Sequence, residues 1–163
     1  MNRTLLALCA AAVLAPHPVS AQLGRLVSTP DLLQLTASTC VASGADFQIT
    51  VPLAAAKGRW DEYGKKAGTP STTRAWLVSL KGLPVVVDIS ETGRVGMCSV
   101  NAVSDPAAVT NAITANRGKP QISTRSNGDK VARWAAKGKL PTMSVESSPG
   151  RAMTRISVLA PAG

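Results

Sequence analysis

The stretch 74-RAWLVSLKGLPVVVDISETGRVGMCSVNA-102 decides the fold. It holds three short apolar runs, residues 75–80, 85–89 and 94–102, broken by Lys81-Gly82 and by Ser90-Glu91-Thr92-Gly93. Runs of this length, rich in valine and separated by a few turn-forming residues, predict strands joined by hairpins. The three together predict a β-meander. Pro84 has no amide hydrogen to give a neighbour, so it marks a strand start or a sheet edge. Cys98 and Val100 share a face of the third run.

Upstream, Ser28 or Thr29 can cap a helix with Pro30 at its first position and Asp31 in its first turn. Leu33, Ala37, Cys40 and Val41 would form its buried stripe, and Gly44 would end it. An extended link through Phe47, Ile49 and Val51 is expected next. Pro52 then opens a second helix whose Leu53, Ala56, Trp60 and Tyr63 share a face, with Gly58 weakening it.

Downstream, Ser104-Asp105-Pro106 is a helix start, Val109, Ala112 and Ile113 supply the stripe, and Arg117-Gly118 closes it. Three more strands are expected at 130–136, 140–146 and 152–159, turning at 137–139 and 147–150. Trp134 falls on the side of Ala132 and Ala136, which favours the core, and Arg133 takes the opposite face. The order is α-α-β-β-β-α-β-β-β. The expected fold class is α+β, a single antiparallel sheet of five or six strands with two or three helices packed on its apolar face. In layout alone this resembles the PAS-like and profilin-like shapes, a likeness that carries no function. The two strand triplets do not align residue for residue, so no internal duplication is read.

The first 21 residues have the pattern of a cleaved signal peptide. Asn2 and Arg3 give a polar, positive start, an apolar run follows over 5–14, and Val19-Ser20-Ala21 suits cleavage before Gln22. The run is about 10 residues long, against about 20 for a helix that spans a bilayer. Cys9 lies early, after Leu8 rather than a small residue, which argues against lipidation. The mature chain, 22–163, is then expected to be periplasmic or secreted, a single small α+β domain without a transmembrane segment, loose at 22–27 and 160–163.

Cleavage would also remove His17, the chain's one histidine. A mature chain without histidine has no Ser-His or Cys-His nucleophile pair and no histidine-containing zinc site. Cys40 and Cys98 would remain, an even pair in a compartment that favours disulfides, with no Cys-x-x-Cys spacing to mark redox chemistry. One structural bridge is expected between them. Neither a Ser-x-x-Lys, a Gly-x-Ser-x-Gly nor a phosphate-binding glycine loop occurs. No cofactor and no metal are expected.

Charge is unevenly spread. The chain carries 18 Lys and Arg against 9 Asp and Glu, a net +9. Residues 22–116 hold eight basic against seven acidic side chains, whereas 117–155 hold nine against two. Within that basic segment Arg125, Arg133, Lys137, Lys139 and Arg155 are the candidate anion-binding residues. Outside the cytoplasm the fitting anions are lipid headgroups, lipopolysaccharide phosphates and acidic wall polymers. Nucleic acid fits less well, because only Trp134 offers a stacking surface in the segment. The plainer reading is that these cations are solvated edges and turns, where they discourage edge-to-edge pairing.

Two acidic features carry less. Asp61-Glu62 on a helix would diverge by about 100° and reads as surface pairing with nearby lysine and arginine. Asp88 sits in an apolar run, where burial would raise its pKa. The expectation is an exported, non-catalytic envelope protein that binds an anionic envelope component or another envelope protein through its basic C-terminal half. The alternative is a histidine-free hydrolase or transferase built on carboxylates such as Asp88.

Overall fold

Lys81 and Gly82 both have positive φ, 51° and 80°, as the two central residues of a type I′ hairpin turn require. That turn sets Leu80 opposite Leu83 and fixes the register of two ten-residue strands, β2 (Ser71–Leu80) and β3 (Leu83–Thr92). Pro84 stands at the start of β3, one residue ahead of Val85, where pairing with β4 (Val95–Val103) begins. The meander read from the sequence is therefore present. These strands belong to a computed structural model that describes residues 25–44, 46–66, 71–92, 95–148 and 152–160. The expected signal peptide lies outside the described residues, as do 22–24 and 161–163 at the two ends expected to be loose. Val27 and Ala160, also placed in those ends, are tied down: Val27 is buried and donates to the Val103 carbonyl, and Ala160 donates to that of Gly96.

The α+β class holds, but the antiparallel sheet has eight strands rather than five or six. The additions are β1 (Asp61–Lys66), hydrogen-bonded to β2, and β5 (Gln121–Thr124), hydrogen-bonded to β6 (Lys130–Trp134). With β7 (Thr142–Ser147) and β8 (Met153–Leu159) the spatial order is β1-β2-β3-β4-β8-β7-β6-β5. Two four-stranded meanders thus meet at β4 and β8. Exchanging every strand for its counterpart in the other meander leaves the order unchanged.

The two added strands form the sheet's edges. Their sequences, DEYGKK and QIST, lack the apolar alternation that a half-buried strand shows, and a polar or short edge strand resists pairing with other molecules. Asp61 and Glu62 are accordingly on a strand, not a helix. Glu62 accepts two bonds from Arg74, at 2.9 and 3.0 Å, on the neighbouring strand.

Three helices cover one face of the sheet. In α1 (Thr29–Thr36) the Ser28 hydroxyl accepts from the Asp31 amide and Pro30 sits in the first turn, as expected. The helix then widens into a π-helical turn (Ala37–Val41), in which the Ala42 amide reaches back to the Ala37 carbonyl. The buried stripe is Leu32, Thr36, Thr39 and Cys40, an i, i+4, i+7, i+8 set that starts one residue before the expected Leu33, so Ala37 is exposed. The second helix, α2 (Phe47–Gly58), begins five residues before Pro52 and does not extend to Trp60 or Tyr63. Phe47, Val51 and Ala55 are buried at four-residue spacing, so the supposed extended link is helical. In α3 (Pro106–Arg117) the Asp105 carboxylate accepts from the amides of Ala107 and Ala108, and Val109 and Ile113 face the core.

Cys40 and Cys98 are joined, with Cα atoms 5.5 Å apart and both side chains fully buried. The bridge fastens the π-helical turn to the fourth strand, next to the centre of the sheet. Val85, Val87, Ile89, Val100, Ile156 and Val158 form the floor of the core, and Trp76 and Trp134 are its large pieces. Trp134 donates its indole N–H to the Gly118 carbonyl at 2.9 Å, so the core assignment holds. Gly96 admits the ring of Phe47: a Cβ there would stand 3.2 Å from the ring. No helix among the described residues is long and apolar enough to cross a membrane.

Candidate functional site

Alternation along each strand sends one set of side chains to the helices and the other to the opposite face, where no described helix packs. On β4 the core set is Cys98, Val100 and Ala102, and the outer set is Met97, Ser99, Asn101 and Val103. On β8 the core set is Thr154, Ile156 and Val158, and the outer set is Met153, Arg155, Ser157 and Leu159. The ladders place the outer residues in rows. One row runs Asp88, Ser99, Ser157, Ser144, Arg133, and the next runs Val86, Asn101, Arg155, Glu146, Val131.

The short serines make a trough, and Arg155 lies across it. One of its terminal nitrogens donates to Asp88 Oδ1 at 3.0 Å and to Ser99 Oγ at 3.1 Å. Ser99 and Ser157 hydroxyls are 3.0 Å apart, and Asn101 Nδ2 donates to Asp88 Oδ2 at 2.6 Å. Both Asp88 oxygens are therefore engaged. Burial pushes the Asp88 carboxyl above its ordinary value, and this outweighs the opposing pulls of Arg155 and Asn101.

Beside this network is a cavity of about 380 Å³ lined by Arg125, Arg133, Arg155, Ser144, Glu146 and Ser157, with Met97, Val131 and Leu159 completing its wall. Arg125 pairs with Glu146 at 2.9 Å. Arg133 is exposed and has no ion pair among the described residues. Three guanidinium groups thus face two carboxylates, an excess of positive charge with hydroxyl groups at its base. Guanidinium groups bind carboxylate and phosphate through paired hydrogen bonds, and partial burial strengthens the attraction. The apolar side chains of Met97 and Leu159 adjoin each other on neighbouring strands, so one end of the cavity is greasy and the other cationic.

Of the five candidate anion-binding residues, the fold brings together Arg125, Arg133 and Arg155. Lys137 and Lys139 are elsewhere, in the turn between β6 and β7, where Lys137 pairs through its backbone with Leu140. Lys137 lines a separate cavity of about 250 Å³ with Arg117, Lys119 and Trp134. Ser99, Asn101, Ser144, Glu146 and Ser157 were not singled out from the sequence. Their signal was the alternation itself: Ser99, Asn101, Ser144 and Ser157 each fall between buried apolar positions of their strand, and Glu146 follows buried Val145. Among the described residues no group of three or more His, Cys, Asp or Glu side chains is placed to hold a metal ion. No family model, curated protein or solved structure matches the chain.

Proposed function

We propose that the chain is an exported, non-catalytic envelope protein that binds an anionic amphiphile, a lipid headgroup or lipopolysaccharide phosphate, on the uncovered face of its sheet. The observation that carries this reading is the convergence of Arg125, Arg133 and Arg155 on one cavity with serine hydroxyls beside them and an apolar end at Met97 and Leu159. Phosphate or carboxylate would meet the guanidinium groups, and the first methylenes of an acyl chain would meet the apolar end. Arg133 is the ligand's most available partner, because binding it breaks no ion pair among the described residues. The Cys40 to Cys98 bridge and the signal-peptide pattern support an extracytoplasmic setting.

The test is titration of the mature, oxidised protein with vesicles of phosphatidylglycerol or of lipopolysaccharide, with phosphatidylcholine as the neutral reference. Loss of one charge-assisted contact in Arg133→Ser should weaken binding by about tenfold. Equal affinity for neutral and anionic vesicles would overturn the reading. A second reading, a hydrolase or transferase using Asp88, is favoured only by the raised pKa of that carboxyl. Its oxygens are held by Arg155 and Asn101, which suits a fixed support for Arg155 better than a mobile acid.

A further inference from the structure

Arg117, the last residue of α3, borders two cavities at once. One is the cationic cavity of about 250 Å³ that it lines with Lys119, Lys137, Trp134 and Leu140. The other, of about 230 Å³, is a groove between α3 and the first helix with its π-helical turn. Trp134 in the first and Met143 in the second are cross-strand partners on β6 and β7, and both are buried on the helix-covered side of the sheet. The two recesses therefore lie side by side.

The groove is apolar. Leu33, Ala37 and Val41 form one wall, Ala112 and Ile113 the other, and Met143 the floor. Alanines stand on both walls, at 37 and 112, where longer side chains would close the space. Besides Arg117, the polar side chains there are Thr36 and Asn116, and each donates to a carbonyl of its own helix, at 2.8 and 3.1 Å. A hydrocarbon body suits such walls.

The neighbouring cavity has the opposite character. No carboxylate lines it, and Arg117, Lys119 and Lys137 have no ion pair among the described residues. The Arg117 guanidinium donates to the Pro141 carbonyl at 2.7 Å. Burial pushes its pKa below the ordinary value, as befits a cation short of counter-charge. The negative end of the α3 dipole accounts for a cation at Arg117. It does not account for Lys137, which comes from the turn between β6 and β7.

Together the recesses suit one molecule with an anion at one end and a chain of methylenes behind it. We infer that they bind a single-chain amphiphile with a compact anionic head, an alkyl carboxylate being the simplest, its head among Arg117, Lys119 and Lys137 and its chain along the groove. A second copy of this chain is a poorer occupant. It would bring the same excess of positive charge to a cavity already cationic. A helix of it, about 10 Å across, is too wide for the groove. This site is on the opposite face of the sheet from the arginine cavity; it takes dissolved molecules singly and has no part in vesicle binding.

The test is isothermal titration calorimetry of the mature, oxidised protein with decanoate below its micelle concentration. One saturable site is expected. Decanol keeps the chain without the charge and acetate the charge without the chain, and each should bind more weakly by about tenfold or more. Ala112→Leu fills the groove and Lys119→Ser/Lys137→Ser removes two cations; each should weaken decanoate binding by about tenfold, with thermal unfolding showing the variant folded. If Ala112→Leu does not fold, Ala37→Leu fills the groove from the exposed wall. Arg125→Ser/Arg133→Ser should bind decanoate as the parent does. The inference is overturned by absence of saturable binding, by equal affinity for decanol, or by unchanged affinity in the groove-filling variant. Loss of decanoate binding in Arg125→Ser/Arg133→Ser would also overturn it, since the ligand would then occupy the other cavity. So would a dimer in sedimentation velocity that the groove-filling variant abolishes, since the groove would then belong to a second copy.

Discussion

Reducing the Cys40 to Cys98 bridge should remove a quarter or more of the protein's stability. The cysteines are 58 residues apart in sequence, and both side chains are fully buried. Closing a loop of that length restricts the unfolded chain by about 4 kcal/mol at 25 °C in the chain-entropy treatment. A domain of this size has about 5 to 15 kcal/mol in total. The Cα separation of 5.5 Å is ordinary for a disulfide, so the folded backbone need not shift to make it. The assay is urea unfolding of the oxidised protein against the same protein reduced while unfolded and kept reduced. With a slope of about 2 kcal/mol per molar urea, the midpoint should drop by about 2 M. Because the sulfurs are shielded, thiol exchange in the folded state must wait for an opening event, and the native bridge should outlast brief exposure to dithiothreitol. A midpoint shift below about 0.5 M at unchanged slope would refute the reasoning, because the unfolded chain would then be no less restricted without the bridge.

Asp88 gives a pH prediction of unusual sign. Burial raises its pKa from 3.8, so the folded state holds this proton more tightly than the unfolded one. The stabilisation is full at and below 3.8 and is lost as pH rises through the folded value. Relative to Asp88→Asn, the parent should therefore become less stable as pH rises, as read by thermal unfolding across a pH series. A relative gain with rising pH would mean that Arg155 outweighs desolvation. Asp105→Ala removes the acceptor for two amides at the start of α3 and should cost about 1 kcal/mol in denaturant unfolding, with no loss indicating that water replaces the cap. Trp134→Phe deletes the indole bond to Gly118 and leaves that carbonyl without this partner, at a cost of about 1 to 2 kcal/mol; an unchanged midpoint would show the bond to be dispensable.

What was legible in the sequence followed from local physics. The strands around Lys81-Gly82 announced themselves because short apolar runs and turn chemistry agree there. Asp105-Pro106 did the same for α3. The second helix was misread because Phe47, Ile49 and Val51 satisfy a two-residue period, while the four-residue period of Phe47, Val51 and Ala55 is the one that buries them. Pro52, taken as a helix start, is tolerated inside the helix. The edge strands were missed because a strand with one neighbour and polar side chains carries no apolar signal. The site divides the same way. That Arg133 faces away from Trp134 could be read from alternation alone. That Arg155 and Arg133 share a cavity could not, because β8 enters the sheet between β4 and β7, a long-range pairing that no local pattern encodes. Counting charge along the chain also mixed these arginines with Lys137 and Lys139, which the hairpin carries elsewhere.

The most direct test of the central claim compares two double variants that each lose two positive charges. Vesicles containing phosphatidylglycerol are mixed with the parent, with Arg125→Ser/Arg133→Ser and with Lys137→Ser/Lys139→Ser, and the bound fraction is measured by cosedimentation at low and high salt. The account predicts salt-sensitive binding by the parent and by the lysine variant, and loss of binding by the arginine variant while its thermal unfolding shows it folded. Equal weakening of both variants would contradict it, since the basic segment would then act by charge alone and the cavity would be no site at all.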